Sequence, residues 1–178
     1  MPLRSISITD WDENAQAPHG LHHLRQLESL QLYALLPPED LGTLPADAPL
    51  RSLTLSHPDA INLTPLASWP LLDTLHLQCL TNALHEDQWY ALSHLPKLTR
   101  LTLHAAEDTT TLRVPSDLRL PQVIELWHQS SRTSTAAEIT EQLRTLFPVF
   151  PHLRALRLYG TNGDSAPINL TLHPRPRT

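Results

Sequence analysis

Apolar residues recur along the chain in one short unit, P-x-L-x-x-L-x-L, which is clearest at residues 96–103. The last two apolar positions of the unit are two residues apart, which is the spacing of a β-strand with one buried face. The first apolar positions of successive units are 22 to 30 residues apart, at Leu3, Leu27, Leu50, Leu72, Leu98, Val123 and Leu153. A degenerate unit follows at residues 168–172. The pattern therefore predicts seven or eight parallel strands whose leucines share one core.

The segments between the units must carry the chain back, because parallel strands need a crossover connection. Residues 84–95 predict a helix, and residues 135–138 predict a capping box that starts a second one. The apolar residues at helical spacing are Leu84, Trp89, Leu92 and Leu95 in the first, and Ile139, Leu143, Leu146 and Phe147 in the second. Residues 38–41 and 64–69 predict short helical turns, the latter capped by Thr64. Residues 108–120 predict an extended loop or single turns.

An L-x-x-L-x-L core repeated about every 20 to 29 residues is typical of leucine-rich repeats. The chain resembles that family over nearly its full length. The resemblance implies an α/β solenoid, or horseshoe, with a parallel β-sheet on the concave face and short helices and loops on the convex face. The position after each strand where the family usually has Asn or Cys holds other residues, so we expect irregular repeats. Residues 1–173 are predicted to form a single domain of seven to eight repeats, and residues 174–178 a flexible tail.

Composition and charge exclude several classes of function. The formal charge is −5 and no run of Lys or Arg occurs, which argues against a nucleic-acid-binding surface. Cys79 is the only cysteine, so an intramolecular disulfide and a cysteine-based zinc site are excluded. No apolar run approaches the roughly 18 residues of a membrane span, and no leader pattern precedes the first unit. We therefore expect a cytoplasmic protein that binds no membrane.

Residues that alternate with the strand leucines are predicted to form the concave face. Ser and Thr dominate its N-terminal half, as expected of a solvated sheet face. The C-terminal half holds the candidate partner-binding residues, which are His76, Arg100, His104, Glu125, Trp127, Arg157 and Tyr159. Neighbouring strands in register would stack Arg157 on Trp127 and pair Arg100 with Glu125. The alternatives are that this face is only solvated, and that a partner binds the helix side or the loop at residues 108–120.

The 11 histidines and the hydroxyl residues do not assemble into a recognisable metal or catalytic motif. His22 and His23 are adjacent, so they do not converge on one metal as an i, i+4 pair does. No G-x-S-x-G turn or phosphate-binding glycine loop is present, and we expect no metal and no cofactor. His128 occupies an inward position where leucine is expected. It predicts either a hydrogen-bonded core histidine or a local break in register.

The family resemblance implies a non-catalytic protein–protein interaction module, such as an adaptor, an inhibitor or an immunity-type protein. Two alternatives stay open. One is a hydrolase-type enzyme that uses the histidine-rich C-terminal half of the sheet face, and the other is a structural subunit of a larger assembly. Exposed terminal strands also allow a homodimer, because unpaired strand edges favour pairing with another chain.

Overall fold

The computed structural model describes residues 3–9, 23–33, 41, 46–56, 62–80, 84–105, 112–130, 135–160 and 168–171. These residues form one eight-stranded sheet in which the strands follow chain order. The strands are β1 (Ser5–Ile8), β2 (Ser29–Leu32), β3 (Ser52–Ser56), β4 (Thr74–Leu80), β5 (Arg100–Ala105), β6 (Glu125–Ser130), β7 (Ala155–Gly160) and β8 (Ile168–Thr171). The α/β class is therefore confirmed.

Strands β1 to β7 are parallel, and equivalent positions of successive units lie side by side. Leu53 of β3, for example, pairs with Leu75 of β4, which pairs in turn with Leu101 of β5. These leucines are fully buried, and they belong to one apolar cluster that also includes residues from the helices. The leucine spacing thus places the strands correctly and sets their register.

The proline that opens the unit occupies the same turn in four of the repeats. In each, the amide of the first apolar residue donates to the carbonyl three residues earlier, as in Leu98 to Leu95 at 3.2 Å. The same bond joins Leu72 to Trp69, Val123 to Leu120 and Leu153 to Phe150. Proline follows the accepting residue every time, at Pro70, Pro96, Pro121 and Pro151. Proline fixes φ near the value that the second residue of a type I or II turn needs, so it starts each strand at the same point.

Strand β8 corrects the expectation that every strand is parallel. It pairs antiparallel with β7, and Leu170 lies opposite Leu156. Only residues 161–167 separate the two strands, whereas a parallel crossover needs about a dozen residues or more. The degenerate eighth unit therefore forms a strand, but the short connection makes it a hairpin partner of β7.

The two predicted helices are present as α1 (Glu86–Ser93) and α2 (Ala136–Val149). The four apolar residues of the first, Leu84, Trp89, Leu92 and Leu95, are all buried. The capping box of the second is confirmed, because Thr135 Oγ1 accepts from the Glu138 amide at 3.3 Å. In return, Glu138 Oε2 accepts from the Thr135 amide at 2.6 Å. The second helix therefore begins where the sequence pattern predicts, and the first spans residues 86–93, within the predicted residues 84–95.

One of the four residues predicted for the apolar stripe of α2 is not buried. Leu146 is buried and Ile139 and Leu143 pack against the core, but the Phe147 side chain is 41% exposed. Each helical residue turns about 100° from the previous one, so Phe147 leaves the face that buries Gln142, Leu146 and Val149. Phe150, which follows the helix, is buried and contributes an aromatic ring to the core.

The shorter connections match the predictions in part. A 3-10 helix spans Thr64–Ser68, but Thr64 is not its cap, and Asn62 Oδ1 accepts from the Thr64 amide at 2.9 Å instead. Residues 112–120 form an extended segment with one turn, as expected. Residues 38–40, 108–111 and 172–178 lie outside the described residues, and so does the Cys79 side chain. In the described part of the chain, neither helix has the length and apolar character needed to cross a membrane.

Candidate binding site on the polar face of the sheet

The strand residues that alternate with the core leucines form what we call the polar face of the sheet. Parallel pairing in register arranges them in rows across the strands. One row contains Thr74, Arg100 and Glu125 on β4, β5 and β6. The next row contains His76, Thr102, Trp127 and Arg157 on β4 to β7. The register of the buried leucines therefore also decides which polar side chains are neighbours.

A pocket of about 180 Å³ lies in this face across β4, β5 and β6, and we call it the face pocket. Its lining consists of three residues from each row and the core residue Leu101, namely Thr74, His76, Arg100, Leu101, Thr102, Glu125 and Trp127. Four of the seven residues proposed from the sequence are thus brought together, namely His76, Arg100, Glu125 and Trp127.

Trp127 is held by the predicted cation–π contact. The guanidinium carbon of Arg157 lies 4.2 Å from the centre of the indole ring. Trp127 is half-buried in this arrangement and not fully exposed. A contact of this kind at a partly exposed site stabilises by about 0.5–1 kcal/mol. Its main effect is to hold the ring in one orientation beside the face pocket.

The predicted pair of Arg100 and Glu125 is also present. Arg100 Nε lies 3.3 Å from Glu125 Oε2, and the two side chains are 61% and 31% exposed. An ion pair this open to water contributes about 0–1 kcal/mol, because solvent screens it. Its importance here is that it places one charge of each sign at the rim of the face pocket.

The imidazole of His76 forms the wall of the face pocket opposite Trp127. His76 is half-buried, and burial lowers its pKa because the charged form loses hydration. A histidine with a pKa below its usual 6.5 is mostly neutral at pH 7. The charged groups of the face pocket are therefore Arg100 and Glu125 alone.

Three of the proposed residues do not line the face pocket, and one of them, Arg157, contacts it through Trp127. His104 lies one row further along β5, where it pairs with Gln129 of β6, and it does not line the pocket. The backbone of Tyr159 also pairs with Gln129, but its side chain lies outside the described part of the structure.

Thr74 and Thr102 line the face pocket, but neither is among the seven candidate partner-binding residues. Thr102 is the small residue between His76 and Trp127 in their row. An alignment of the repeat units shows this small–large contrast, because equivalent positions fall in one row. The gap between two rings therefore has a signal in the sequence that residue type alone does not give.

The N-terminal half of the polar face differs from the expected solvated surface. Thr54 and Ser56 of β3 are buried, with 5% and 4% of their surface exposed. Alternation along a strand decides which face a residue is on, but not what covers that face. The exposed character predicted for these hydroxyls is therefore wrong at β3.

His128 lies on the core side of β6, in register with Leu103 and Leu158. The suggested break in register is therefore wrong. Neither ring nitrogen makes a hydrogen bond of normal geometry within the described structure, so the expected partner is not found there either. Burial lowers the pKa of His128 to about 4, the nearby Leu103 backbone acts in the opposite direction, and the neighbouring His104 adds to the lowering. His128 is a neutral imidazole inside the core.

A second pocket, of about 390 Å³, lies on the helix side between α1 and the segment at residues 112–117. Leu84, Trp89, Val114 and Pro115 supply its apolar lining, and Glu86, Arg113, Ser116 and Asp117 its polar lining. The Tyr90 hydroxyl donates to Asp117 Oδ2 at 2.6 Å and ties the two elements together. This bond raises the pKa of Tyr90 to about 12. This helix-side pocket includes residues 113–117 and therefore corresponds to the alternative binding site proposed for the helix side or residues 108–120.

Comparisons with known proteins identify no relative. No protein-family model, no curated protein and no solved structure matches the chain. Within the described residues, no group of three or more His, Cys, Asp or Glu side chains is placed to hold a metal ion.

Proposed function

We propose that the chain is a leucine-rich repeat solenoid whose polar face binds another protein at the C-terminal half of the sheet. The repeat period and the seven parallel strands in register support this fold. The same hydrogen-bonded proline turn opens four of the units, which further supports equivalent repeats.

The observation that carries the function is the half-buried Trp127, held by Arg157 at the wall of the face pocket. Tryptophan and arginine are the residues that most often dominate binding energy at protein interfaces, and they do so in small, well-packed pockets. At about 180 Å³ the face pocket is smaller than the roughly 300–1,000 Å³ of small-molecule sites. It suits a single side chain of a protein partner better than a free ligand.

The hydrogen bond of Thr74, one of the hydroxyl residues in the face pocket, argues against a nucleophile at that residue. Nucleophilic catalysis needs a hydroxyl that is hydrogen-bonded to a base such as histidine. Thr74 and Thr102 are the only hydroxyl residues that line the face pocket in the described structure. The Thr74 hydroxyl donates to Asp73 Oδ1 at 2.6 Å, so it does not donate its proton to His76 as a nucleophile activated by that histidine would.

Affinity capture from native lysate, followed by mass spectrometry, tests the proposal. We expect the combined variant Trp127→Ala and Arg157→Ala to retain less than a tenth of the captured partner. Ser29→Ala with Gln31→Ala changes the same face at β2 and should capture normally. Circular dichroism must show native structure in both variants. Undiminished capture by the Trp127 and Arg157 variant would move the binding site off this part of the sheet.

A further inference from the structure

The row that crosses the face pocket places a small residue between two rings. His76, Thr102 and Trp127 pair in register on three adjacent strands. Strands are about 4.8 Å apart, so His76 and Trp127 are separated by roughly 9.6 Å at the backbone. A flat ring inserted above Thr102 would lie about 4.8 Å from each neighbour, within the 4.5–7 Å of aromatic pairs. The gap therefore has the width of one inserted aromatic side chain.

The indole ring of Trp127 is available on the side that borders this gap. Arg157, on β7, covers one face of the ring at 4.2 Å. The face pocket is lined by Trp127 and by residues of β4 and β5 but not by Arg157, so it extends from Trp127 away from β7. Because Arg157 holds the ring in place, a partner would meet a platform that is already oriented, which lowers the entropy cost of binding.

The charged side chains around the gap are two cations, Arg100 and Arg157, and two acids, Glu125 and Asp73. Each acid already has a partner, because Glu125 is paired with Arg100 at 3.3 Å and Asp73 accepts from the Thr74 hydroxyl at 2.6 Å. Burial lowers the pKa of His76 and so favours its neutral form. Among the described residues, a cationic side chain entering the gap would meet two guanidinium groups and only carboxylates that already have a partner. Acidic neighbours of the inserted side chain would instead meet complementary charge.

This inference rests on the proposed function and names the chemistry of the partner. We infer that the partner inserts one aromatic side chain between His76 and Trp127, above Thr102. Aspartate or glutamate residues next to that side chain in the partner's sequence face Arg100 and Arg157. The recognised element is thus a short acidic segment with an aromatic anchor.

Three synthetic peptides test the aromatic anchor and its acidic neighbours separately. They are acetyl-Gly-Asp-Tyr-Asp-Gly-amide, its lysine counterpart with Lys in place of both Asp, and its alanine counterpart with Ala in place of Tyr. Binding is followed at the indole N–H signals in a ¹⁵N–¹H spectrum, of which the four tryptophans give four. Trp69 and Trp89 are buried and report whether the core is intact. A Trp127→Phe variant assigns the signal of interest.

The acidic tyrosine peptide should shift the Trp127 signal with an apparent Kd at least fivefold below those of the other two peptides. The ratio between its affinity and that of the lysine peptide should shrink at 0.5 M salt. The distance over which exposed charges interact falls from about 10 Å at 0.1 M salt to about 3 Å at 1 M. Thr102→Phe fills the gap and should abolish binding. Gln31→Phe places the same ring in the same row on β2, outside the face pocket, and should leave binding unchanged.

Each contrary result overturns one part of the inference. Equal binding of the acidic and basic peptides would overturn the acidic segment, and equal binding of the alanine peptide would overturn the aromatic anchor. Undisturbed binding by Thr102→Phe, or no Trp127 shift with millimolar acidic tyrosine peptide, would overturn the insertion site. The proposed function fails by a different result, namely intact capture by the Trp127 and Arg157 variant.

Discussion

A buried, neutral imidazole is the least expected residue in the core. His128 takes a leucine position of β6, and its two ring nitrogens have no hydrogen-bond partner within the described structure. A buried polar group left in this state costs about 1–3 kcal/mol. Charging it would cost more, because burial penalises the charged form most, and this lowers its pKa from 6.5 to about 4.

The lowered pKa of His128 predicts an acid-sensitive stability. The unfolded chain takes up the proton near pH 6.5, before the folded protein does, so acid favours unfolding between pH 6.5 and about 4. At pH 5 the loss attributable to this residue is about 2 kcal/mol relative to pH 7.5. Urea unfolding at the two pH values measures it. The matched variant His128→Leu should lack this part of the loss and should be more stable at pH 5.

The variant also separates the contribution of His128 from those of the other ten histidines and the carboxylates, because both proteins contain them. If wild type and His128→Leu lose the same free energy of unfolding between pH 7.5 and 5, the imidazole is not buried in a neutral state.

At the scale of elements, the repeated proline turn is the feature that makes the strands equivalent. Each turn places proline directly after the residue whose carbonyl accepts the amide of the first apolar residue of the unit. Proline also limits the unfolded chain, so it stabilises the folded state wherever its φ angle fits. Pro148 is in a different position, because it lies inside α2, where it lacks the amide that a helix uses.

The same substitution should therefore have opposite effects at the two sites. We expect Pro96→Ala to lower the free energy of unfolding by about 0.4–1 kcal/mol, and Pro148→Ala to raise it. Thermal or urea unfolding of both variants measures the two signs. An unchanged or increased stability of Pro96→Ala would contradict the turn role of Pro96, and a loss of stability in Pro148→Ala would contradict the expected cost of Pro148 in the helix.

The elements also show what could be predicted from the sequence and what could not. The leucine spacing determines which residues of each strand face the core. Strands β1 to β7 and their register were therefore predictable. The contacts of Trp127 with Arg157 and of Arg100 with Glu125 followed from that register. The direction of β8 depends on connection length, which the apolar pattern does not contain. The exposure of Phe147 depends on a rotation of about 100° at the edge of a helix face. Whether His128 has a partner depends on neighbours that are distant in sequence.

For the whole molecule, the main question is which side of the sheet receives a partner. The polar face presents Trp127 in the face pocket with Arg100 and Arg157 nearby, and the opposite side presents the larger helix-side pocket at α1. The two lie on opposite sides of one core, so a partner of ordinary size would cover one of them and leave the other open. Protection of side chains from solvent therefore distinguishes the two directly.

Oxidative footprinting of the chain, alone and in complex with its captured partner, is the most direct test of the polar-face site. It measures how far each side chain is accessible to solvent-borne radicals. We predict that oxidation of Trp127 and His76 falls at least fivefold in the complex, while that of Tyr90 on α1 and Phe147 on α2 stays unchanged. Protection of Tyr90 and residues 113–117, with Trp127 oxidised as before, would contradict the polar-face site and place the partner at the helix-side pocket.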